Sequence, residues 1–514
     1  MENMNTFKRK ALFTAVVAGL GVAGTAEAVY MSPNRTGQVL VYPYYTVQSA
    51  GGNSWNTYLS VVNTTTLVKA VKVRILEGKT SAEVLDFNLF LSPNDVWTAA
   101  IVPSDATATS PGRIITTDTS CTSPAIPAAG QPFRNFQYAT AGSADALPGT
   151  GLERTREGYV EMLEMGIVSG TAATNVTHTA AGVPLNCAAV QSAAFTLTPG
   201  TTILAPQGGL MGTGTLINVN NGRDAGYKAD ALDAWRDAPI YTGPGFVTPN
   251  LADAVPPRSV VVRSGDVDIA GTGASTLITA YRSDFAPDGP MPAGARAVAS
   301  VFMHTAVMNE YVLDNASASL TDWVVTQPIK NLFVNAATAR TPYSNVMTSS
   351  GACETIGFVF FNREEQGAVA SGIDFSPLPP SAPANSMCWE SNILSIRNGS
   401  AHMPSDTTRS GVLGSFNLTN VNINSTFQNG WATLAFLGTN ATTTGIPSAA
   451  GERVALGGAA IGAATAGPVT FLGLPVTGFM IRTFANGGLT CAGAACQGNY
   501  GALFNHSYRT VINP

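Results

Sequence analysis

The densest group of chemically capable side chains in this sequence is Glu153, Glu157, Glu161 and Glu164, interleaved with Arg154 and Arg156. Two carboxyl groups facing each other across a substrate are what glycoside hydrolysis needs, one giving a proton and one attacking or activating water. On an extended strand Glu157 and Glu161 share a face and Glu164 points away, because side chains alternate with a period of two. The preferred reading is plainer: an exposed edge strand blunted by charge. A second cluster, Asn362-Arg363-Glu364-Glu365 with Asp374, lies between Cys353 and Cys388. Hard carboxylate oxygens on such a loop could hold Ca2+, and Asp266 and Asp268, two acids at alternate strand positions, are a weaker set of the same kind. Solvated loops with internal ion pairs account for both more simply. Tyr42, Tyr44, Tyr45, Trp55 and Tyr58 could form a platform for sugar rings, although aromatics in an opening strand more often fill a core and its rim.

Other signals fall away on their context. Gly19-Leu20-Gly21-Val22-Ala23-Gly24 matches a dinucleotide fingerprint by letter, but it sits inside an export leader with no strand before it. Gly78-Lys79-Thr80 resembles the end of a phosphate loop, yet Val73 stands where that loop needs glycine, so Lys79 reads as a hairpin residue. There is no Gly-x-Ser-x-Gly elbow and no His-Glu-x-x-His pair. The histidines, His178, His304, His402 and His506, are scattered. The sequence therefore indicates no cofactor, with Ca2+ the one ligand its acidic loops could take.

These side chains need elements to carry them, and the first element is an address. Lys8, Arg9 and Lys10 form a basic region, Ala11 to Ala23 an uncharged and mostly apolar one, and Ala26-Glu27-Ala28 a small-x-small cleavage pattern. Cleavage after Ala28 leaves a chain that starts at Val29. The six cysteines, an even number, all follow the leader and so imply disulfides. Pairing sequence neighbours gives Cys121–Cys187, Cys353–Cys388 and Cys491–Cys496. Charged residues make up 11% of the chain, against about 25% in an ordinary soluble domain. Thr, Asn, Ser and Gly must then supply the polar surface, and copies repel one another weakly. A net charge of -5 without a basic cluster argues against nucleic acid as a partner. No apolar run of transmembrane length follows the leader.

Period-two patterning dominates the rest. Strands are expected at Gln38–Tyr42, Thr57–Val62, Val68–Leu76, Val84–Leu91 and Asp95–Val102, the last placing Trp97 in or beside the core. Residues 103–150 read as a long excursion, 157–168 as a strand, Thr213–Val219 as another, and Tyr227–Trp235 as a helix. Five prolines between 239 and 257 mark the softest boundary. Beyond it strands are expected near Ser259–Arg263, Ser275–Tyr281, Ala297–His304, Asp322–Thr326, Gly357–Asn362, Gly411–Leu418 and Trp431–Leu437, with a closing hairpin of Gly478–Phe484 and Ala502–Val511. Ser376-Pro377-Leu378-Pro379-Pro380 reads as an exposed extended loop.

Several stretches together resemble an uncharacterised family of exported proteins from Gram-negative bacteria. They are Val71-Lys72-Val73-Arg74-Ile75-Leu76-Glu77-Gly78, Leu85-Asp86-Phe87, Leu91-Ser92-Pro93-Asn94-Asp95-Val96-Trp97, Met308-Asn309-Glu310-Tyr311-Val312, Thr321-Asp322-Trp323-Val324-Val325-Thr326, and the blocks around Cys353, Arg363 and Cys388. The resemblance implies a cell-envelope or secreted setting and brings no activity. The expected architecture is all-β, with a leader over 1–28 and two β-sandwich-like (Ig-like) lobes over 29–245 and 246–514, stapled by disulfides. The expected role is a non-catalytic, self-associating surface or matrix protein. The alternative is a carbohydrate-binding or glycoside-processing protein. A periplasmic ligand-binding protein ranks third, since the usual α/β pattern is missing.

Overall fold

Val160, Met162 and their neighbours on the adjoining strands point in register to one side of a sheet, and that arrangement organises the first half of the chain. The computed structural model describes residues 28–50, 53–264, 278–369, 386–399, 408–436, 454–460, 468–491, 494–510 and 512–513. Strands take up 47% of the chain and helices 9%, which makes the protein all-β. Its first half holds β1 (Val39–Thr46), β2 (Asn56–Asn63), β3 (Lys69–Glu77), β4 (Glu83–Leu91), β5 (Val96–Pro103), β6 (Glu157–Val168), β7 (Leu210–Asn218), β8 (Arg223–Lys228) and β9 (Asp230–Asp233). One sheet runs Tyr30–Met31, β9, β1, β6, β3, β4 and Thr122–Ser123, and the other Gln131–Pro132, Gly112–Ile115, β5, β2, β7 and β8. The neighbours of Val160 are Tyr42 and Ile75, and those of Met162 are Leu40 and Val73. These residues share a core with Leu59, Val61, Trp97 and Leu216 of the second sheet. Two sheets packed through such alternating faces form a β-sandwich.

The second half repeats the design with β10 (Ala306–Val312), β11 (Leu320–Thr326), β12 (Glu354–Asn362), β13 (Ser391–Arg397), β14 (Asn429–Phe436), β15 (Thr477–Cys491) and β16 (Ala494–Asn505). The order in one sheet is Gly367–Val369, β12, β14, β10, Ser507–Arg509, in a second Leu418–Asn422, β13, β11, β15, β16, and in a third Arg258–Ser264, Ile278–Asp284, Val454–Ala460, Pro468–Leu472, Ile512–Asn513. Trp323 on β11 is fully buried against Phe358 on β12, its ring 5.5 Å away, and its indole N–H donates to the Glu310 carbonyl. Among the described residues, strands before 234 pair in sheets only with one another, as do those after 257. The cores do not divide this way. Phe479 and Ile481 of β15 lie in the cluster of Tyr44 and Tyr227, with the Phe479 and Tyr227 rings stacked at 5.1 Å.

Cys121 is bonded to Cys187 and Cys353 to Cys388, as the sequence order suggests. The Cys491 and Cys496 side chains, the leader up to residue 27 and the Ser376–Pro380 loop lie outside the described residues and side chains. No helix among the described residues is long and apolar enough to cross a membrane.

Four expectations are corrected. The strand carrying the glutamates is no edge: β6 lies between β1 and β3 and all twelve of its residues are buried. Tyr227–Trp235 is not helical. It covers the end of β8 and all of β9, because Tyr227, Ala231 and Leu232 bury themselves at strand positions and override a weak helical preference. Conversely, Ala293–Val301 is a helix where a strand was expected near Ala297. Four alanines favour the helix, and Pro292 precedes it as the N-cap. Finally, Gly411–Asn417 is a loop, its Val412 and Leu413 amides donating to the Asp322 carboxylate at 2.9 Å; the strand begins only at Leu418 and runs parallel to β13.

Close approach of β6 to β3 demands glycine at one position. An ideal Cβ on Gly158 would lie 1.9 Å from the Leu76 carbonyl oxygen. Gly158→Ala is expected to cost about 3 kcal/mol or more by overpacking, measured as a lowered midpoint in denaturant; a variant as stable as the parent would show that the two strands can separate locally.

Candidate binding pocket

The charged cluster that the sequence singles out is built into the interior. Glu157 is 3% exposed. Its carboxylate accepts from the Tyr44 hydroxyl at 2.7 Å, the Ser415 hydroxyl at 2.5 Å, Gln48 Nε2 at 3.2 Å and the Phe416 amide at 3.2 Å. Glu161 receives Arg74 Nη1 at 2.6 Å, and Arg74 Nε reaches Glu83 at 2.7 Å. Glu164 takes Lys69 Nζ at 2.5 Å and the amides of Gln207 and Gly208. Arg154 clasps Glu77 through Nε and Nη2; burial would raise the Glu77 carboxyl, but this guanidinium and the Lys79 and Thr80 amides hold it below its ordinary value. Glu153 alone is exposed. Both members of the expected carboxylate pair, Glu157 and Glu161, are thus buried and bonded to protein partners.

The aromatic platform dissolves for a similar reason. Tyr42, Tyr44, Tyr45 and Trp55 are at most 1% exposed, and Tyr58 at 40% is left alone on the surface. Glu364 and Glu365 sit in the exposed turn between β12 and Gly367–Val369, where Arg363 lies 3.5 Å from Glu364. Asp266, Asp268 and Asp374 lie outside the described residues. Among those described, no three His, Cys, Asp or Glu side chains converge as a metal site.

What the fold does assemble is a pocket of about 570 Å3 between the first strands and the last ones. Cavities of roughly 300–1,000 Å3 are the usual size for small-molecule sites. Its apolar wall comes from Val262, Val301, Phe302, Val307 and Val476, and its polar edge from Arg35, Lys228, Asp230, His304 and Tyr508. β9 brings Asp230 in at its first residue, where Oδ2 accepts a short hydrogen bond from the Thr477 hydroxyl. Burial raises the Asp230 carboxyl above its ordinary value, opposed by that hydroxyl and by Arg35. Short strands at Met303–His304 and Ser507–Arg509 place the two ring systems that meet here: the Tyr508 ring stacks on His304 at 4.1 Å. His304 Nδ1 pairs with the Thr510 hydroxyl at 3.0 Å, leaving Nε2 without a hydrogen-bond partner among the described residues. Burial pushes this imidazole down to about 3 and that of His506 down to about 4. Both are neutral near pH 7. His506 Nε2 lies 3.0 Å from the Val324 carbonyl, which fixes that nitrogen as the protonated one, and Nδ1 accepts from Asn309. The pocket thus offers an apolar bed with a carboxyl acceptor, a neutral imidazole and two cations along its edge.

Sequence reasoning missed this site. Its residues are drawn from positions 28 to 510, and no local spacing links Asp230 to His304 or Tyr508. The histidines carried the one available signal, being rare, yet scatter along the chain says nothing about convergence in space. His178, by contrast, bonds Ser92 and does not line the pocket, and His402 lies outside the described residues.

Two stability predictions follow from the buried charges. Removing Lys69 strands Glu164 in the interior, so Lys69→Met should cost about 3–5 kcal/mol in denaturant unfolding; a loss under 1 kcal/mol would mean that water reaches the pair. Glu390 is 0% exposed. Burial pushes its carboxyl up to about 8, against the pull of Lys330. A carboxyl raised on folding stabilises the native state fully below its unfolded value, near 4.5, and that contribution is lost as pH rises through about 8. Glu390→Gln should therefore match the parent at pH 5 and exceed it at pH 9, and equal pH slopes for the two proteins would refute the assignment.

No protein family, curated protein or solved structure matches this chain.

Proposed function

We propose that the protein is an exported, non-catalytic binding protein of the bacterial cell envelope that holds a small amphipathic molecule in the pocket between its two lobes. The observation that carries this reading is the pocket itself: about 570 Å3, apolar on one wall and lined at its edge by Arg35, Lys228, Asp230 and the stacked His304–Tyr508 pair. A largely apolar cavity with a few convergent polar groups is the default form of a ligand site. The leader pattern and the two disulfides support an oxidising compartment outside the cytoplasm. The carbohydrate-processing alternative loses the residues it rested on, since Glu157 and Glu161 are bonded inside the protein.

Self-association is a second reading, favoured by one observation. β16 is the outermost strand of its sheet among the described residues; it lies against β8, with Asn499 donating to the Asn221 carbonyl at 2.7 Å, and carries Tyr500 and Phe504 at 55% and 47% exposure. Outer strands with exposed aromatics pair readily with another copy, and the low surface charge offers little repulsion. Phe504→Lys would break such an assembly, visible as a fall in mass by light scattering; a parent protein that stays monomeric at high concentration removes this reading.

The pocket is tested by thermal unfolding against a panel of small acids, sugars and acyl compounds. A true ligand raises the midpoint in proportion to the logarithm of its concentration. Arg35→Gln and Tyr508→Ala should abolish the rise and leave the free protein's midpoint within a few degrees of the parent's, because both side chains are exposed. A rise that persists in both variants would place the ligand elsewhere.

A further inference from the structure

At the expected processing site Ala28 lies in the pocket wall, and Val29 follows directly behind it. Ala28 lines the cavity and is 5% exposed. Val29 is fully buried, held in a parallel bridge to Ser259; its N–H donates to the Arg258 carbonyl at 2.8 Å and its carbonyl accepts from Val260 at 2.9 Å. The backbone at Val29 is thus fixed by the second half of the chain on both sides of its α-carbon. Hydrolysis of the Ala28–Val29 peptide bond takes up one water, frees the Ala28 carboxylate with the leader and leaves an amine on Val29. That amine gains the hydrogens that take the place of the bond to Ala28. One N–H keeps the Arg258 carbonyl, and the others take up the side of the nitrogen once bonded to Ala28, the residue that lines the cavity.

We propose that removal of the leader after Ala28 completes the ligand site, and that the α-ammonium of Val29, acting with Arg35 and Lys228, selects an amphipathic organic anion of the carboxylate class. The proposal rests on the pocket being the ligand site. Its charge argument is direct. Among the described residues the charged ones lining the cavity are Arg35, Lys228 and Asp230, so the new ammonium makes three cations against one carboxyl there. That carboxyl is already engaged by Thr477. An ammonium shielded from bulk water needs a counterion or several acceptors, and a carboxylate supplies both the charge and two oxygens. The ligand's apolar part has its place against Val301, Phe302, Val307 and Val476. In the precursor the same wall carries the Ala28 methyl group and a peptide bond, and the site is both smaller and one charge poorer. Ligand binding would then begin only after processing.

The test compares two chains, one starting at Val29 and one starting at Ala26 with Glu27→Gln, using decanoate as probe and decanol as its neutral counterpart, by calorimetric titration. A charge-assisted hydrogen bond is worth about tenfold or more in affinity. Decanoate should bind the Val29 chain at least about tenfold more tightly at pH 7, and that advantage should vanish at pH 9.5, above the α-amino value of about 7.7–8.0. Decanol should bind both chains equally. Equal decanoate affinity in the two chains, or an exported protein whose mass shows a first residue other than Val29, would overturn the inference and leave the pocket reading intact. Failure of both probes to bind either chain would overturn the two together.

Discussion

The Glu157 carboxylate is the point at which the two halves of this molecule are fastened. Its donors come from both: Tyr44 and Gln48 from the first, Ser415 and Phe416 from the second. A buried carboxylate is tolerated only when its oxygens are satisfied, so this group dictates where residues 415 and 416 must sit. Their loop is anchored from its other side by Asp322, which receives the Val412 and Leu413 amides, and by Trp55, whose indole N–H donates to the Val412 carbonyl. The junction is extended by Thr326 donating to the Pro43 carbonyl and Tyr159 to the Pro328 carbonyl. Most of these contacts are polar and directional, and they fix one orientation of lobe on lobe. Apolar packing of Phe479 against Tyr44 and Tyr227 adds contact area without adding that specificity.

The sheets were legible because their signal is local. Val71, Val73 and Ile75 alternate with Lys72 and Arg74 whatever surrounds them, and β3 lies where that alternation puts it. What the pattern could not reveal is that both faces of the strand are covered. Lys72, Arg74, Glu161 and Glu164 look like solvent-facing residues, but each meets an opposite charge under a second layer of chain. A charge on a strand reports polarity, and its burial depends on partners 14 to 95 residues away. The helix at Ala293–Val301 and the strand β9 failed for a related reason: alanine-rich and mixed segments carry weak preferences, and tertiary packing decides them. The pocket was the least legible feature, since its edge joins Arg35, Asp230, His304 and Tyr508 across nearly the whole sequence.

The same geometry gives the most conspicuous residues a structural part to play. A chain with few charges that places many of them inside spends them on holding its sheets together, as Arg154 does for Glu77 and Arg74 for Glu83 and Glu161. The binding reading draws instead on Arg35 and Lys228, which form no ion pair among the described residues and stand at the surface beside an apolar cavity.

Synthesis runs from the N-terminus, and the interlock of the lobes has a cost there. β6 is complete once residue 168 has been made, yet the face carrying Tyr159 and Leu163 waits for partners such as Phe302, Trp323 and Met480. More than three hundred residues separate the first of these positions from the last, so contacts of very high sequence separation must form before the central sheet is sheltered. Chains of that topology fold slowly and present bare strands to one another in the meantime. The protein is therefore most exposed to aggregation while it is being made, when escort by a holding chaperone or a slower delivery would keep nascent copies apart.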